Sequence, residues 1–302
     1  MINKFDACLI VTFNSNLISL ERQIADLLSF FDEVIIIDNS SDFPNQKAIA
    51  KVCLKTGATY LSSFGNVGIG SAQNRGLVYL SDKRARFVMF LDDDSVFPVF
   101  EISRLIGDFL EIRSKYPSVI GLGPTVVDIK SGQDLAFVWK KNLLKRADIQ
   151  WEFTRAAFLV SSGSLYDFEI LMREIGMLRE DSFLDGVDME LGFRINQKGY
   201  ELMVTKNSKM KHSLGDELVS KEENIFDYVH SDPTRNYYQI RNGILMLSDT
   251  RIEFQKTIGR FLQLLRQIQL FRRIQNNQYD ALKMAGLGLI HGLLRKRGML
   301  KE

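Results

Sequence analysis

Cysteine is scarce in this 302-residue chain, with Cys8 and Cys53 alone. Two cysteines set in apolar stretches build no disulfide framework, so both read as small buried hydrophobes of a reducing compartment. Five prolines and no low-complexity stretch argue against a disordered protein. No uninterrupted apolar run reaches the roughly 18 residues that a bilayer span needs. Met1–Asp6 enter a strand pattern directly, with no signal-peptide h-region. The expectation is a cytoplasmic chain. What is present, 45% hydrophobic and 25% charged residues, suffices for one large core or one core with an appendage.

The net charge of +2 hides an asymmetry. Between Arg251 and Glu302 there are eleven Lys or Arg against three Asp or Glu, so the remaining 250 residues carry a net charge of −6. An acidic-leaning body is followed by a basic tail. Along the body, Ala7–Phe13 is a continuous apolar run of the kind a doubly buried strand shows. Leu17, Leu20, Ile24, Leu27, Leu28 and Phe31 then recur at helical spacing, and Val34–Ile37 is a second β-branched run. A helix over Asn45–Thr56, a strand over Thr59–Ser62, a helix opened by Gly68–Gly70 and a strand over Phe87–Leu91 continue the alternation. Such alternation predicts an α/β fold with a mostly parallel, doubly wound sheet. Further on, the pattern predicts a helix over Pro98–Tyr116 with Phe100, Leu105, Ile106, Phe109 and Leu110 buried. Strands follow near Val119–Leu122, Ala157–Val160 and Tyr200–Thr205, a helix over 186–198, and only helices after about 232.

Ligands of such sheets sit beyond the carboxyl ends of the strands. The polar clusters fall there: Thr12-Phe13-Asn14, Asp38-Asn39-Ser40, Asn66–Asn74 and Asp92–Ser95. Asp92-Asp93-Asp94 repel one another unless a cation neutralises them, and hard oxygen ligands suit Mg²⁺ or Mn²⁺ bridging a diphosphate. A solvated acidic turn at a helix start is the plainer alternative. Gly68-Ile69-Gly70 would let backbone approach a phosphate at a helix N-terminus, although the dinucleotide fingerprint is incomplete and a structural turn also fits. In Asp185-Gly186-Val187-Asp188-Met189-Glu190, a helix starting near Gly186 sets Asp188 and Glu190 about 200° apart. One faces a cleft; the other has Arg194 four residues on as an ion partner. Asp188 is therefore the candidate general base, with capping or surface charge as the alternative. His212 could complete a carboxylate metal site or be structural.

Together these clusters resemble family 2 glycosyltransferases of the GT-A fold, in particular the bacterial rhamnosyltransferase-like group. The resemblance spans roughly residues 7–245. It rests on Val11–Asn14, Ile36–Ser41, Asn66–Asn74, Phe90–Ser95, Asp185–Glu190, His212–Asp216, and Arg235–Tyr238 with Arg241-Asn242. It implies that Thr12, Phe13 and Asn14 line a nucleobase pocket, beside Asn39, and that Asp38 accepts from the pyrimidine N3–H. Asn66, Gly68 and Asn74 would border ribose and diphosphate. Asp92 and Asp94 would form the DxD motif, Asp92 and Asp93 facing the substrate, with Asp92, Asp94 and His212 on the metal, Asp94 as its direct ligand and His212 as a second. Asp188 matches the family base. The chain has Val187-Asp188 where many relatives carry Glu-Asp, which keeps Asp185 in competition.

The implied activity is inverting transfer of a sugar, L-rhamnose from dTDP-rhamnose, to a hydroxyl of a polyprenyl-linked or polysaccharide glycan, with Mg²⁺ or Mn²⁺ as cofactor. A UDP-galactofuranose-dependent enzyme, or a non-catalytic nucleotide-binding or membrane-scaffold protein, are the alternatives. The expected organisation is a catalytic domain over 1–232 (nucleotide-sugar half to about 97, acceptor half from 98) and a helical, basic segment over 233–302. In that segment Ile258, Leu262, Leu265 and Ile268 alternate with Lys256, Arg260 and Arg266, and Leu293-Leu294 precede Arg295-Lys296-Arg297. This fits a helix on anionic lipid at the inner face of the cell membrane, or helix packing against the core or a second copy. Nucleic acid is not expected of an acidic-leaning body.

Overall fold

The computed structural model describes residues 5–129, 134–140, 143–146, 149, 151–212, 217–218, 228–229, 232–247, 249, 258–259, 262, 264–265, 268 and 278–300. The first half follows the predicted alternation. Strands β1 (Phe5–Thr12), β2 (Phe31–Asp38), β3 (Thr59–Ser62) and β4 (Phe87–Asp92) are joined by helices α1 (Leu17–Leu27), α2 (Phe43–Thr56) and α3 (Ile69–Lys83). α4 (Val99–Lys115) leads to β5 (Val119–Asp128), which β6 (Asp134–Leu135) flanks. A hairpin of β7 (Phe137–Lys140) and β8 (Leu143–Arg146) precedes β9 (Phe153–Ala156) and β10 (Ser164–Asp167). After a short α5 (Phe168–Ile170) come α6 (Val187–Gln197) and the long β11 (Glu201–His212). The main sheet has the order β3-β2-β1-β4-β10-β5-β11-β9. β10 and β9 run antiparallel to their neighbours, and the remaining pairs on that path are parallel.

Successive residues of β1 point to opposite faces of the sheet. Cys8 and Ile10 meet α1, α2 and α4 through Leu20, Ile24, Ile49, Leu105 and Phe109. Ala7 and Leu9 meet α3 and α6 through Leu77, Leu80, Leu191 and Ile195. Both faces are covered, so β1 and β2 read as continuous apolar runs. Cys8 and Cys53 are buried free thiols, as expected. Polar side chains stop at the carboxyl ends of β1, β2 and β4, all at one edge.

Three details depart from the sequence expectation. The buried face of α4 is Ile102, Leu105, Ile106, Phe109 and Ile112, while Phe100 and Leu110 are 58% and 49% exposed. Counting apolar residues had mixed two faces of one helix. Phe31 opens β2 rather than closing α1. The strand lies at Phe153–Ala156, and Ala157–Leu159 is buried beside it, joined to β7 only by an isolated bridge between Phe158 and Phe137. Its room comes from Gly192 of α6, where a Cβ would stand 2.4 Å from Phe158 Cβ. Apolar runs report burial, which need not mean a strand.

In the C-terminal segment, α7 (Pro233–Leu247) packs along α8 (Gln278–Leu293). Gly288 and Gly292 let the backbones approach, since a Cβ at either would come within 2.6 Å of Tyr237 O or Ile244 Cβ. No helix among the described residues is long and apolar enough to cross a membrane. Of the predicted tail residues, Lys256, Arg260 and Arg266 lie outside the described residues.

Candidate active site

β4 delivers Asp92 at its last position, and the turn that follows carries Asp93 and Asp94. A bridge between Val96 and Lys211 brings this turn to the end of β11. As a result Asp92, Asp94 and His212, 118 or more positions apart for the last, offer ligand atoms all within 4.8 Å of one another. Two carboxylates and one imidazole facing a polar cleft suit a hard or borderline divalent cation. The turn is pinned from several sides. The Asp92 N–H donates to Ser162 Oγ (3.0 Å), Ser162 and Ser95 hydroxyls meet at 2.6 Å, and Gln23 Nε2 donates to Asp92 O (3.0 Å). Burial, then the charges of Asp94, Asp93 and Asp188, push the Asp92 carboxyl up to about 7, and Arg235 opposes the rise. A cation would relieve the strain that these carboxylates impose on one another.

Asp93 has a different task. Its Oδ2 accepts from the Phe13 N–H (3.3 Å) and from the Ser15 hydroxyl. It thus ties the DxD turn to the loop after β1. Burial raises its pKa, and those two hydrogen bonds hold it back.

At the ends of β1 and β2, Phe13 is 49% exposed and presents a ring to solvent. Asn14 is left-handed (φ 54°), with its N–H on Ser40 Oγ (3.1 Å) and its Oδ1 accepting from Asn45. Thr12 is buried and its hydroxyl has no partner. Asp38 is fully buried too. Its two oxygens accept from the Ser40 N–H (2.9 Å) and the Tyr60 hydroxyl (2.9 Å). Asn39 and Asn66 bind each other (3.0 Å), and their carbonyls hold the Val67 and Gly68 N–H groups. Gly68 (φ 85°) must be glycine, because a Cβ would lie 2.5 Å from Phe183 O.

One expected residue sits elsewhere. Asn74 is buried on the far side of the α3 start. Its Oδ1 accepts from Leu178 N (2.9 Å) and its Nδ2 donates to Leu178 O (3.0 Å) and Glu180 (2.8 Å). Both ends of the amide are engaged by that loop.

The second side of the cleft is the start of α6. Glu190 is fully buried and pairs with Arg194 at 2.8 Å, whereas Asp188 lies half-buried toward the DxD turn. Burial pushes Asp188 up to about 6; the Met189 N–H (2.8 Å) opposes this and the Asp185 charge adds to it. Asp185 (φ 58°) is gripped by Arg235 of α7, whose Nη2 and Nε lie 2.8 and 3.3 Å from its two oxygens. Asp185 is thus held in a charge-assisted fork with Arg235. Tyr60, Gln23 and Ser162 were not singled out in the sequence. Nothing in the spacing announces them, because each acts on a residue more than twenty positions away, Tyr60 from β3, Gln23 from α1 and Ser162 from the turn before β10. Ser213–Asp216 lie outside the described residues.

Residues 7–174, more than half of the chain, match the profile of Glycosyl transferase family 2. The chain is 27% identical over 292 residues, 94% of each partner, to the dTDP-rhamnosyl transferase RfbF of Shigella flexneri. Among solved structures, GalNAc-T7 with UDP, GalNAc and Mn²⁺ superposes with a TM-score of 0.57 at 14% identity, over 93% of this chain and 57% of that one. S. aureus TarS 1-349 with UDP-GlcNAc gives 0.55 at 13% identity, over 96% and 81%. The mannosyltransferase PcManGT of Pyrobaculum calidifontis with GDP-Man and Mn²⁺ gives 0.53 at 14% identity, over 95% and 74%. The fold shared with these is the GT-A fold.

Proposed function

The chain belongs to glycosyl transferase family 2, and from that premise we propose that it transfers L-rhamnose from dTDP-rhamnose to a hydroxyl of a lipid-linked or polysaccharide glycan, with inversion. The observation that carries the reading is the clustering of Asp92, Asp94 and His212, with the Asp188 charge acting on Asp92. The donor assignment is supported by the similarity to RfbF over nearly the whole chain.

Asp92, Asp94 and His212 would hold Mg²⁺ or Mn²⁺, which supplies positive charge to a leaving diphosphate. Phe13 offers its exposed ring to the nucleobase, and Asn39 with Asn66 shapes the loop that meets ribose and diphosphate. Asp188 accepts the proton of the acceptor hydroxyl as that oxygen attacks the anomeric carbon, so attack and departure occur on opposite faces. A base with a pKa raised to about 6 is ionised at neutral pH yet basic enough to take a proton. Purified protein given Mg²⁺ or Mn²⁺, a lipid-linked acceptor and a panel of dTDP-, UDP- and GDP-sugars tests this. Cation-dependent release of dTDP from dTDP-rhamnose alone is expected. Release only from UDP-galactofuranose would replace the donor, and turnover unaffected by EDTA would remove the metal.

We further propose that the protein works at the inner face of the membrane, docked through α8. Ile290 and Leu293 at the C-terminal end of α8 and Leu294 just after it are 54–68% exposed, and exposed Arg295 and Lys296 follow. An apolar patch rimmed by cations fits anionic lipid. Co-sedimentation with vesicles containing anionic lipid, lost in Leu293→Glu, is expected. Sedimentation as a dimer with no vesicle binding would assign the face to a second copy.

A further inference from the structure

Residues Asp181–Gly186 lead into α6, and their backbone is unusual. Phe183 (φ 61°) and Asp185 (φ 58°) are left-handed, as is Gly186 (φ 79°). For residues that carry a Cβ this conformation is uncommon. Two of them in one short loop require a restraint from outside it.

That restraint comes from α7. Asn242, 2% exposed, directs its amide donors at three carbonyls of the loop: Ser182 O (3.0 Å), Leu184 O (2.6 Å) and Asp185 O (2.9 Å). Arg241, 1% exposed, fixes which way that amide faces, because its Nε and Nη2 both donate to Asn242 Oδ1 (3.0 and 2.8 Å). The same Nη2 reaches Ser182 O (2.7 Å) and Asp181 O (3.2 Å), while Nη1 donates to Gly298 O. Gly298 N closes the circuit on Asp181 O at 2.8 Å, and Arg297 pairs with the Asp181 carboxylate at 2.9 Å. The guanidinium lies 4.8 Å from the Tyr238 ring centre, and that ring packs on Phe183.

We propose that Arg241 and Asn242 are positioning residues: they hold Asp181–Gly186 on the left-handed path that aims Asp188 at the reaction centre. By the same contacts, α7 and the turn at 297–300 work as part of the catalytic unit rather than as an appendage. The proposal rests on the reading of Asp188 as base. Freed of these hydrogen bonds, Phe183 and Asp185 would relax to ordinary backbone and carry the start of α6 with them. A general base displaced by about 1 Å loses on the order of 10²-fold in rate. Nucleobase contacts, made from the ends of β1 and β2, would persist.

Asn242→Asp in the full chain is the sharpest variant. It keeps the shape and the oxygen that Arg241 binds, and it removes the donors to the three carbonyls. Expected is a fall in kcat of roughly 10- to 100-fold with donor KM changed less than about twofold, the pattern of a lost transition-state contribution. The acid limb of the kcat profile should shift, and amide exchange should quicken within 182–188 alone. Unchanged kcat would overturn the proposal. So would a joint fall of kcat, donor affinity and melting temperature with exchange raised throughout the chain. Should Asn242→Asp fail to fold, Arg241→Lys decides on the same readouts, since it keeps the charge and loses the fork. If the wild type turns over no donor, the functional reading fails by itself. Exchange at 182–188 then judges the clamp, and protection unchanged in the variant overturns it.

Discussion

Asp188 and Glu190, two residues apart on α6, point to opposite environments: Glu190 is sealed in the core against Arg194 at 2.8 Å, and Asp188 faces the acidic cleft with its carboxyl pushed up to about 6. Neighbouring acids thus have separable roles. Asp188→Asn, an isostere without basicity, should lower kcat by about 10²–10⁴. Dissociation of dTDP, followed by titration calorimetry, should stay close to wild type.

Glu190→Gln should act on stability instead. Removing one partner of a buried ion pair costs on the order of 3–5 kcal/mol. Chemical denaturation should show that loss, while the kcat of the fraction that remains folded stays near wild type. A large fall in kcat at unchanged stability would mean that Glu190 and not Asp188 serves the reaction.

The pH dependence follows from the Asp188 shift. Only the ionised carboxyl accepts a proton, so kcat at saturating cation should rise with pH and reach half its plateau near 6. A profile flat from pH 5 to 7.5 would exclude Asp188 as the titrating base.

Stability of the cation-free protein should run the other way. Burial raises Asp188 to about 6 and Asp92 to about 7, each well above the usual carboxylate range. Groups raised on folding contribute stability below their unfolded pKa that is lost as pH rises through the folded value. Melting temperature without cation should therefore be higher at pH 5 than at pH 7.5, and added Mn²⁺ should restore most of the difference at pH 7.5.

Tyr60→Phe removes a hydroxyl donor from the fully buried Asp38. Leaving a buried carboxylate short of a partner costs about 1–3 kcal/mol. The variant should lose that stability and bind dTDP more weakly, as measured by thermal shift with and without nucleotide.

The alternation of strands and helices was legible because β1, β2 and β4 are buried on both faces, which forces continuous apolar runs that end abruptly at polar clusters. The DxD turn and Asp188 were legible for the same reason: they lie at those ends, or start a helix whose opposite face is fixed by Glu190 and Arg194. The contacts of Asn74 were not legible, because its position in the motif says nothing of which side of α3 it occupies. Its amide is used on Leu178, more than a hundred residues away. Tyr60 and the contacts that Arg241 and Asn242 make were beyond reach for a related reason, although the pair itself stands in the late-helix motif. Each works across a long sequence separation through backbone carbonyls or a neighbouring strand, and such contacts leave no periodicity behind.

The central claim is single displacement, with Asp188 and the Asp92–Asp94–His212 cluster serving opposite sides of one anomeric carbon. The anomeric configuration of the linked sugar in the enzymatic product, read from its NMR coupling constants, tests it most directly. A configuration opposite to that of the donor is predicted. Retention of the donor configuration would contradict the account, since it demands a second displacement that this arrangement of side chains does not provide.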